Sequence, residues 1–269
     1  MALKIEFSVQ MVDEKCIDEI SKSIADLDGV HDLTISLDTD RVTLRTSLPH
    51  SIIQEKIEKT GRKAVLKGYG EGLSAVALIG GNSGYNFGNQ IFGIIRLAET
   101  PEGCIIEGTI DNLPPGEHGL HIHEYGDISR GCYSLGGHYN PRDSPHGGPE
   151  DDLSKRHVGD LGNIQVESTR RSTFWKLDKY LDLAEIIGRS IVITKDPDDL
   201  GRGNNPESKI DGNSGEGLTA GLIAKASGLN QNTKKICACN GVTLWDERQL
   251  KLTNINGTQS HTESMCTLI

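Results

Sequence analysis

The sequence predicts an α+β unit of order βαββαβ at the N-terminus, then an all-β sandwich or barrel, and a short polar tail. Three observations carry this. Apolar residues in the first 70 positions switch between period 2 and period 3.6. After Ser74, short alternating runs are separated by Gly, Pro, Asn and Asp clusters, with no long helical period. Beyond Gly228 the chain turns polar. The composition agrees, because 32 Gly and 4% aromatic residues in 269 favour a turn-rich β protein.

Taken in order, Ile5, Phe7 and Val9 alternate as a strand, and Ile17, Ile20, Ile24 and Leu27 follow a helical period. Leu33, Ile35 and Leu37 alternate again, Val42 and Leu44 give a further strand, and Ile52, Ile53 and Ile57 mark a helix ending near Gly61. Ala64–Leu66 is the last short run. This order is the ferredoxin-like pattern, placed at 1–70. The turn-rich Tyr69-Gly70-Glu71-Gly72 reads as a linker. The runs Val76–Ile79, Ile91–Leu97, Ile105–Ile110, Gly119–His123, Ile164–Val166 and Ile191–Ile193 then place an antiparallel sandwich or barrel at 75–228. Residues 229–269 read as an appendage with little core of its own.

The formal charge of −10 and the lack of clustered Lys/Arg argue against a nucleic-acid partner. No apolar run reaches the length of a membrane span, and MALKIEFSVQ is charged by its fourth residue, so neither a span nor a signal peptide is expected. The expected address is the cytoplasm. Six Cys in 269 residues are too sparse for a secreted disulfide framework and point to metal ligands, redox groups or core thiols.

Six of the nine His lie within forty residues, as His118, His121, His123, His138, His146 and His157, followed by Asp160. His121 and His123 stand at i and i+2 of an alternating run, so a strand turns both imidazoles to one face, where they can share a metal. His118 is expected in a turn before that strand. The loop from Gly126 to Asp160 supplies His138, His146, His157 and Asp160, a donor set suited to tetrahedral zinc. A Gly- and Pro-rich loop of this length needs such an anchor to be ordered.

The segments GLHIHEYGD (119–127), GGHYNP (136–141), HGGP (146–149), RHVGDLGNI (156–164) and DDLGRG (198–203) resemble copper/zinc superoxide dismutase, over about 75–228. The resemblance implies a Greek-key barrel. It implies copper ligation by His121, His123 and His138, and zinc ligation by His138, His146, His157 and Asp160, with His138 bridging. It also implies that Asp198 is the carboxylate joining the two sites. The fourth copper His of those enzymes falls on Thr194, a poor copper ligand, and the Arg that guides superoxide falls on Gly217. Efficient dismutation by this chain is therefore not expected. Cys132 matches one half of the family's intrasubunit disulfide, but the partner position reads Thr219-Ala220-Gly221. Cys132 is thus expected as a free thiol unless Cys104 or another chain pairs with it, and Cys104 itself reads as a small buried hydrophobe.

Cys237-Ala238-Cys239 follows Lys234 and Lys235. Two thiolates one residue apart can hold a soft cation or exchange with a disulfide, and nearby Lys charge favours the thiolate. Placed after a dismutase-like segment and before Asn-Gly-Val-Thr-Leu-Trp-Asp-Glu-Arg, this pair resembles the tail of the copper chaperones for superoxide dismutase, and the likeness runs over nearly the whole chain. That resemblance implies Cu+ as cargo, structural Zn2+, and a client dismutase docked as a heterodimer. It also implies a homodimer when alone, and transfer and disulfide exchange at Cys237 and Cys239. The family's N-terminal Met-x-Cys-x-x-Cys reads Met11-Val12-Asp13-Glu14-Lys15-Cys16 here, with Asp13 where the first Cys is expected. A weak copper site at Cys16 shared between chains, or a docking domain without metal, both stay open. Two further readings are a dismutase-type enzyme with accessory domains and a zinc-bound docking protein without copper transfer. His31 and His50 read as surface groups, and Cys266, beside Met265, as a mobile terminal thiol or a soft ligand.

Overall fold

The computed structural model describes residues 2–80, 85–86 and 90–231. By contact the chain divides into one unit of Met1–Glu71 with the residues from Ala226 onward, and a second of Gly72–Lys225. Among the described residues no helix is long and apolar enough to cross a membrane.

The first unit runs β1 (Leu3–Val9), α1 (Glu14–Ile24), β2 (Val30–Ser36), β3 (Arg41–Thr46), α2 (His50–Glu58) and β4 (Ala64–Tyr69). Its antiparallel sheet has the order β2-β3-β1-β4. Ile5 and Phe7 of β1 pair with Leu44 and Val42 of β3 and are buried with Ile20 and Ile24 of α1 and Ile53 and Ile57 of α2. Asp13 is the N-cap of α1, its carboxylate accepting from the Cys16 backbone N–H at 3.1 Å. The helix stops at Ile24, so Leu27 lies outside it. His50, expected at the surface, is buried, with its ring edge-on to Tyr69 at 6.1 Å.

The second unit carries β5 (Ser74–Gly80), β6 (Tyr85–Asn86), β7 (Phe92–Thr100), β8 (Gly103–Asp111), β9 (Gly116–His123) and β10 (Ser129–Cys132). It continues through β11 (Asp160–Val166), β12 (Arg171–Asp178), α3 (Leu183–Ile186), β13 (Ser190–Thr194), α4 (Ser208–Asp211) and β14 (Gly217–Lys225). Eight strands follow the order β11-β9-β13-β14-β5-β7-β8-β12, with β6 beside β14. The two edge strands β11 and β12 are joined by a turn in which Glu167 N donates to Arg171 O at 3.1 Å, and the sheet curls into a nearly closed antiparallel barrel. Ile79, Ile95, Ile106, Leu120, Ile122, Leu161, Ile191 and Ile223 fill its core. Leaving the barrel, the segment 124–159 contains only β10 as regular structure, and it carries His138, His146 and His157.

Candidate metal centre

Alternation along β9 buries Leu120 and Ile122 in the barrel core and sets His121 and His123 on the opposite face. The loop is strapped to this strand: Tyr139 N donates to Ile122 O at 2.7 Å, Gly159 N to Tyr139 O at 2.9 Å, and Ile122 N to Gly159 O at 2.9 Å. His138 is held by a backbone bridge opposite His123, and its ring stacks on His121 at 4.0 Å between centroids.

Asp160, at the start of β11, organises the zinc-type cluster. One carboxylate oxygen accepts from the backbone N–H of His157 at 2.8 Å and of Gly147 at 3.1 Å. The other lies 2.9 Å from His138 Nδ1 and 3.1 Å from both His146 Nδ1 and His157 Nδ1. The four donor atoms of His138, His146, His157 and Asp160 all lie within 4.8 Å of one another. Burial disfavours the Asp160 charge, but its hydrogen bonds with these three rings outweigh it and hold the carboxyl well below the usual range. Three imidazole nitrogens converging on one buried carboxylate fit zinc in donor type and number.

Asp198 joins this cluster to the neighbouring one. Its two oxygens lie 2.8 Å from His146 Nε2 and 3.0 Å from His121 Nε2. An ionised Asp198 accepts from Nε2–H of both rings, so Nδ1 is the atom each can offer a metal. His121 Nδ1 is buried without a hydrogen-bond partner, while His146 Nδ1 faces Asp160. Gly212, at φ +71°, is required beside this carboxylate, because a Cβ there would fall on Asp198 Oδ1. His123 Nδ1 lies 2.9 Å from the carbonyl oxygen of Gly136, and its Nε2 is likewise buried and unpartnered. Thus His121, His123 and the far side of His138 present free imidazole nitrogens, as a copper site needs. Burial pushes these rings down, His123 and His138 to about 4, so they stay neutral and able to ligate. His146 differs: burial pushes it down, but its bonds to Asp160 and Asp198 outweigh that and raise it to about 9.

Thr194 closes the copper side. Its hydroxyl sits 3.3 Å from the carbonyl oxygens of Gly119 and Asp196, so the hydroxyl is occupied by backbone acceptors. His118, expected in a turn, is instead within β9 and buried, its two ring nitrogens 2.9 Å from the carbonyl oxygens of Thr194 and Pro114. Cys132 is a free thiol lying against Gly217, and burial pushes it up to about 11. Cys104 is buried and free.

Arg156 was not singled out by the sequence reading. It is fully buried beside His157, donating to the carbonyl oxygens of Pro149, His157 and Val158 and pairing with Asp178 at 2.6 Å. Its only sequence signal is its place in RHVGDLGNI. In the first unit, Cys16 is buried with its sulfur 3.1 Å from Asp13 Oδ1 and within hydrogen-bond reach of Arg62, whose guanidinium also pairs with Glu19 at 2.6 Å. One thiol, an N-capping carboxylate and a guanidinium do not form the two-thiolate pair that a soft Cu(I) ion prefers. Cys237, Cys239 and Cys266 lie outside the described residues.

Residues 6–63 match the heavy-metal-associated domain and 91–223 match the copper/zinc superoxide dismutase family. The chain is 47% identical over 250 residues to the copper chaperone for superoxide dismutase of Homo sapiens, covering 91% of this chain and 88% of that one. It is 46% identical over 253 residues to the same protein of Sus scrofa, covering 92% and 89%. The chain belongs to the family of copper chaperones for superoxide dismutase. The solved structure titled "Crystal Structure Analysis of the clock protein EA4" matches this chain with a TM-score of 0.52 and 36% identity, over 57% of this chain and 94% of that one. The two domain matches point to copper and zinc binding.

Proposed function

We propose that this chain delivers Cu(I) to copper/zinc superoxide dismutase and oxidises the client's cysteine pair to its intrasubunit disulfide, working in the cytoplasm. The observation that carries this reading is the match to the copper chaperones across about nine-tenths of the chain. Beside it stand a zinc-type cluster and a copper side that ends on Thr194 instead of a fourth His.

In this reading zinc held by His138, His146, His157 and Asp160 is structural and orders the loop, while Cu(I) is cargo. The chain's own residues prepare the zinc site: Asp198 accepts from the Nε2–H of His121 and His146, and Arg156 holds the loop backbone beside His157. The barrel docks the client in place of the client's own partner, because a homodimerising fold presents a self-complementary face. Exposed Tyr125 and Leu222, either side of Gly126, supply apolar surface for this and for a homodimer of the free chain.

Cys237 and Cys239 transfer the metal as soft thiolates. When they form a disulfide, a client thiolate attacks one tail sulfur and the other leaves as thiolate. The second client thiolate then displaces the first tail sulfur, so two electrons pass from client to tail. An external oxidant restores the tail. Replacing both tail residues (Cys237→Ser, Cys239→Ser) is expected to abolish client activation while zinc content and client binding persist. Full activation by that double variant would overturn the assignment.

A further inference from the structure

The sheet of the first unit has helices on one face only, yet Glu6 on the other face of β1 is just 4% exposed. Its cover is the chain leaving the barrel. Tyr69 N donates to Ser227 O and Leu229 N to Gly70 O, both at 3.3 Å. Asn230 N donates to Glu6 Oε2 at 3.1 Å. Arg41 then joins the two, donating to Asn230 Oδ1 and pairing with Glu6 at 3.4 Å. Gly68, opposite Glu6 in the β1–β4 register, leaves the space: a Cβ there would lie 2.8 Å from Leu229 Cα and 2.9 Å from the Gly228 carbonyl oxygen. Asn230 adopts φ +60°, which Asn tolerates better than most residues.

We infer that the N-terminal unit positions the Cys-x-Cys tail, holding its origin at residues 227–230 on the open face of the β1–β4 sheet. This rests on the chaperone reading of the tail. It gives the N-terminal unit a part in transfer that needs no copper, in a chain where Asp13 stands in place of a thiolate. The clamp shortens the stretch of chain between the last anchored residue and Cys237. From Asn230, Cys237 is seven residues away and reaches roughly 25 Å; from Lys225, the end of β14, it is twelve residues away and reaches roughly 40 Å. Effective concentration falls as about the −3/2 power of tether length, so release lowers it about two-fold.

The test uses the full chain with Gly68→Ala, which wedges the segment off, and with Leu229→Pro, which removes the N–H bonded to Gly70. Amide hydrogen exchange at 227–231 and the rate of client activation against chaperone concentration are read for each. The inference expects lost protection in both variants, a maximal activation rate lowered about two-fold, and an unchanged half-saturating concentration. It also expects the double variant to match either single one, since both release the same segment. Wild-type rates in variants that have lost protection would overturn it. So would a change confined to half-saturation, or amides unprotected in the wild type. If Gly68→Ala fails to fold, Leu229→Pro, which alters only the segment itself, decides. A wild-type chain that activates no client would instead defeat the chaperone reading, leaving the exchange data to judge the clamp.

Discussion

The Asp13 carboxylate lies 3.1 Å from the Cys16 sulfur and caps the helix in whose first turn Cys16 sits. The position that carries a thiolate in the family's metal motif thus serves helix stability here. Asp13→Cys exchanges one role for the other. It is expected to add one tightly held equivalent of Cu(I) in competition with a chelator, and to cost the first unit about 1 kcal/mol through the lost cap. An unchanged Cu(I) stoichiometry would show that Arg62 or the burial of Cys16 also excludes the ion.

The Arg156–Asp178 pair ties the zinc loop to the end of β12. Asp178 also accepts from the backbone N–H groups of Tyr180 and Leu181 at 2.9 and 3.0 Å. Asp178→Ala leaves the Arg156 charge buried and unpaired, at an expected cost of about 3–5 kcal/mol. Denaturant unfolding of the zinc-loaded chain measures this, and zinc affinity is expected to fall with it because His157 follows Arg156 directly.

Removing zinc is expected to lower the melting temperature of the dismutase-like unit and raise amide exchange across 136–160, where the loop has little core of its own. A metal at about 1,000 times its dissociation constant contributes about 4 kcal/mol. Calorimetry with and without chelator checks it; an unchanged transition would mean that the loop is held by its straps to Ile122 and by Arg156 alone.

Stability of the metal-free chain is expected to depend on pH through the copper-side rings. His123 and His138 have ordinary values of 6.5 and are held near 4 by burial, so the folded form binds fewer protons than the unfolded form between those values. Their neutral-state stability is complete above pH 6.5 and is lost as pH falls toward 4, by on the order of 1 kcal/mol per group per pH unit. His146 works oppositely, contributing below 6.5 and losing its contribution as pH rises through about 9. Urea unfolding at pH 6.5 and 4.5 separates the first effect from the second; equal midpoints would contradict it.

Much of this was legible in the chain. The period-2 runs in β1, β3, β8 and β9 and the helical period in α1 reflect burial on one face, which is the strongest local signal a sequence carries. The zinc-type donors stood out because they cluster in sequence as well as in space. The strands β12 and β14 were less visible, since RSTFWKLD buries Ser172 and Asp178 while exposing Leu177, and GLTAGLIAK is built largely from small residues. His118 and His50 were misplaced for one reason: each is buried by a segment distant in sequence, Thr194 for the first and Tyr69 for the second. Arg156 and Glu6 were missed likewise, because a charged residue reads as exposed until its long-range partners, Asp178 and Asn230, are known.

Transfer of copper to a client can be read in a single mixture. The Cu(I)-loaded chain is combined with copper-free, zinc-loaded superoxide dismutase under a Cu(I) chelator, and superoxide removal is read against the chain alone. Activity is expected only when client is present. Activity already full in the chain alone would contradict it, and would mean that Thr194 does not disable the copper site; silence in both would leave a zinc-bound docking protein.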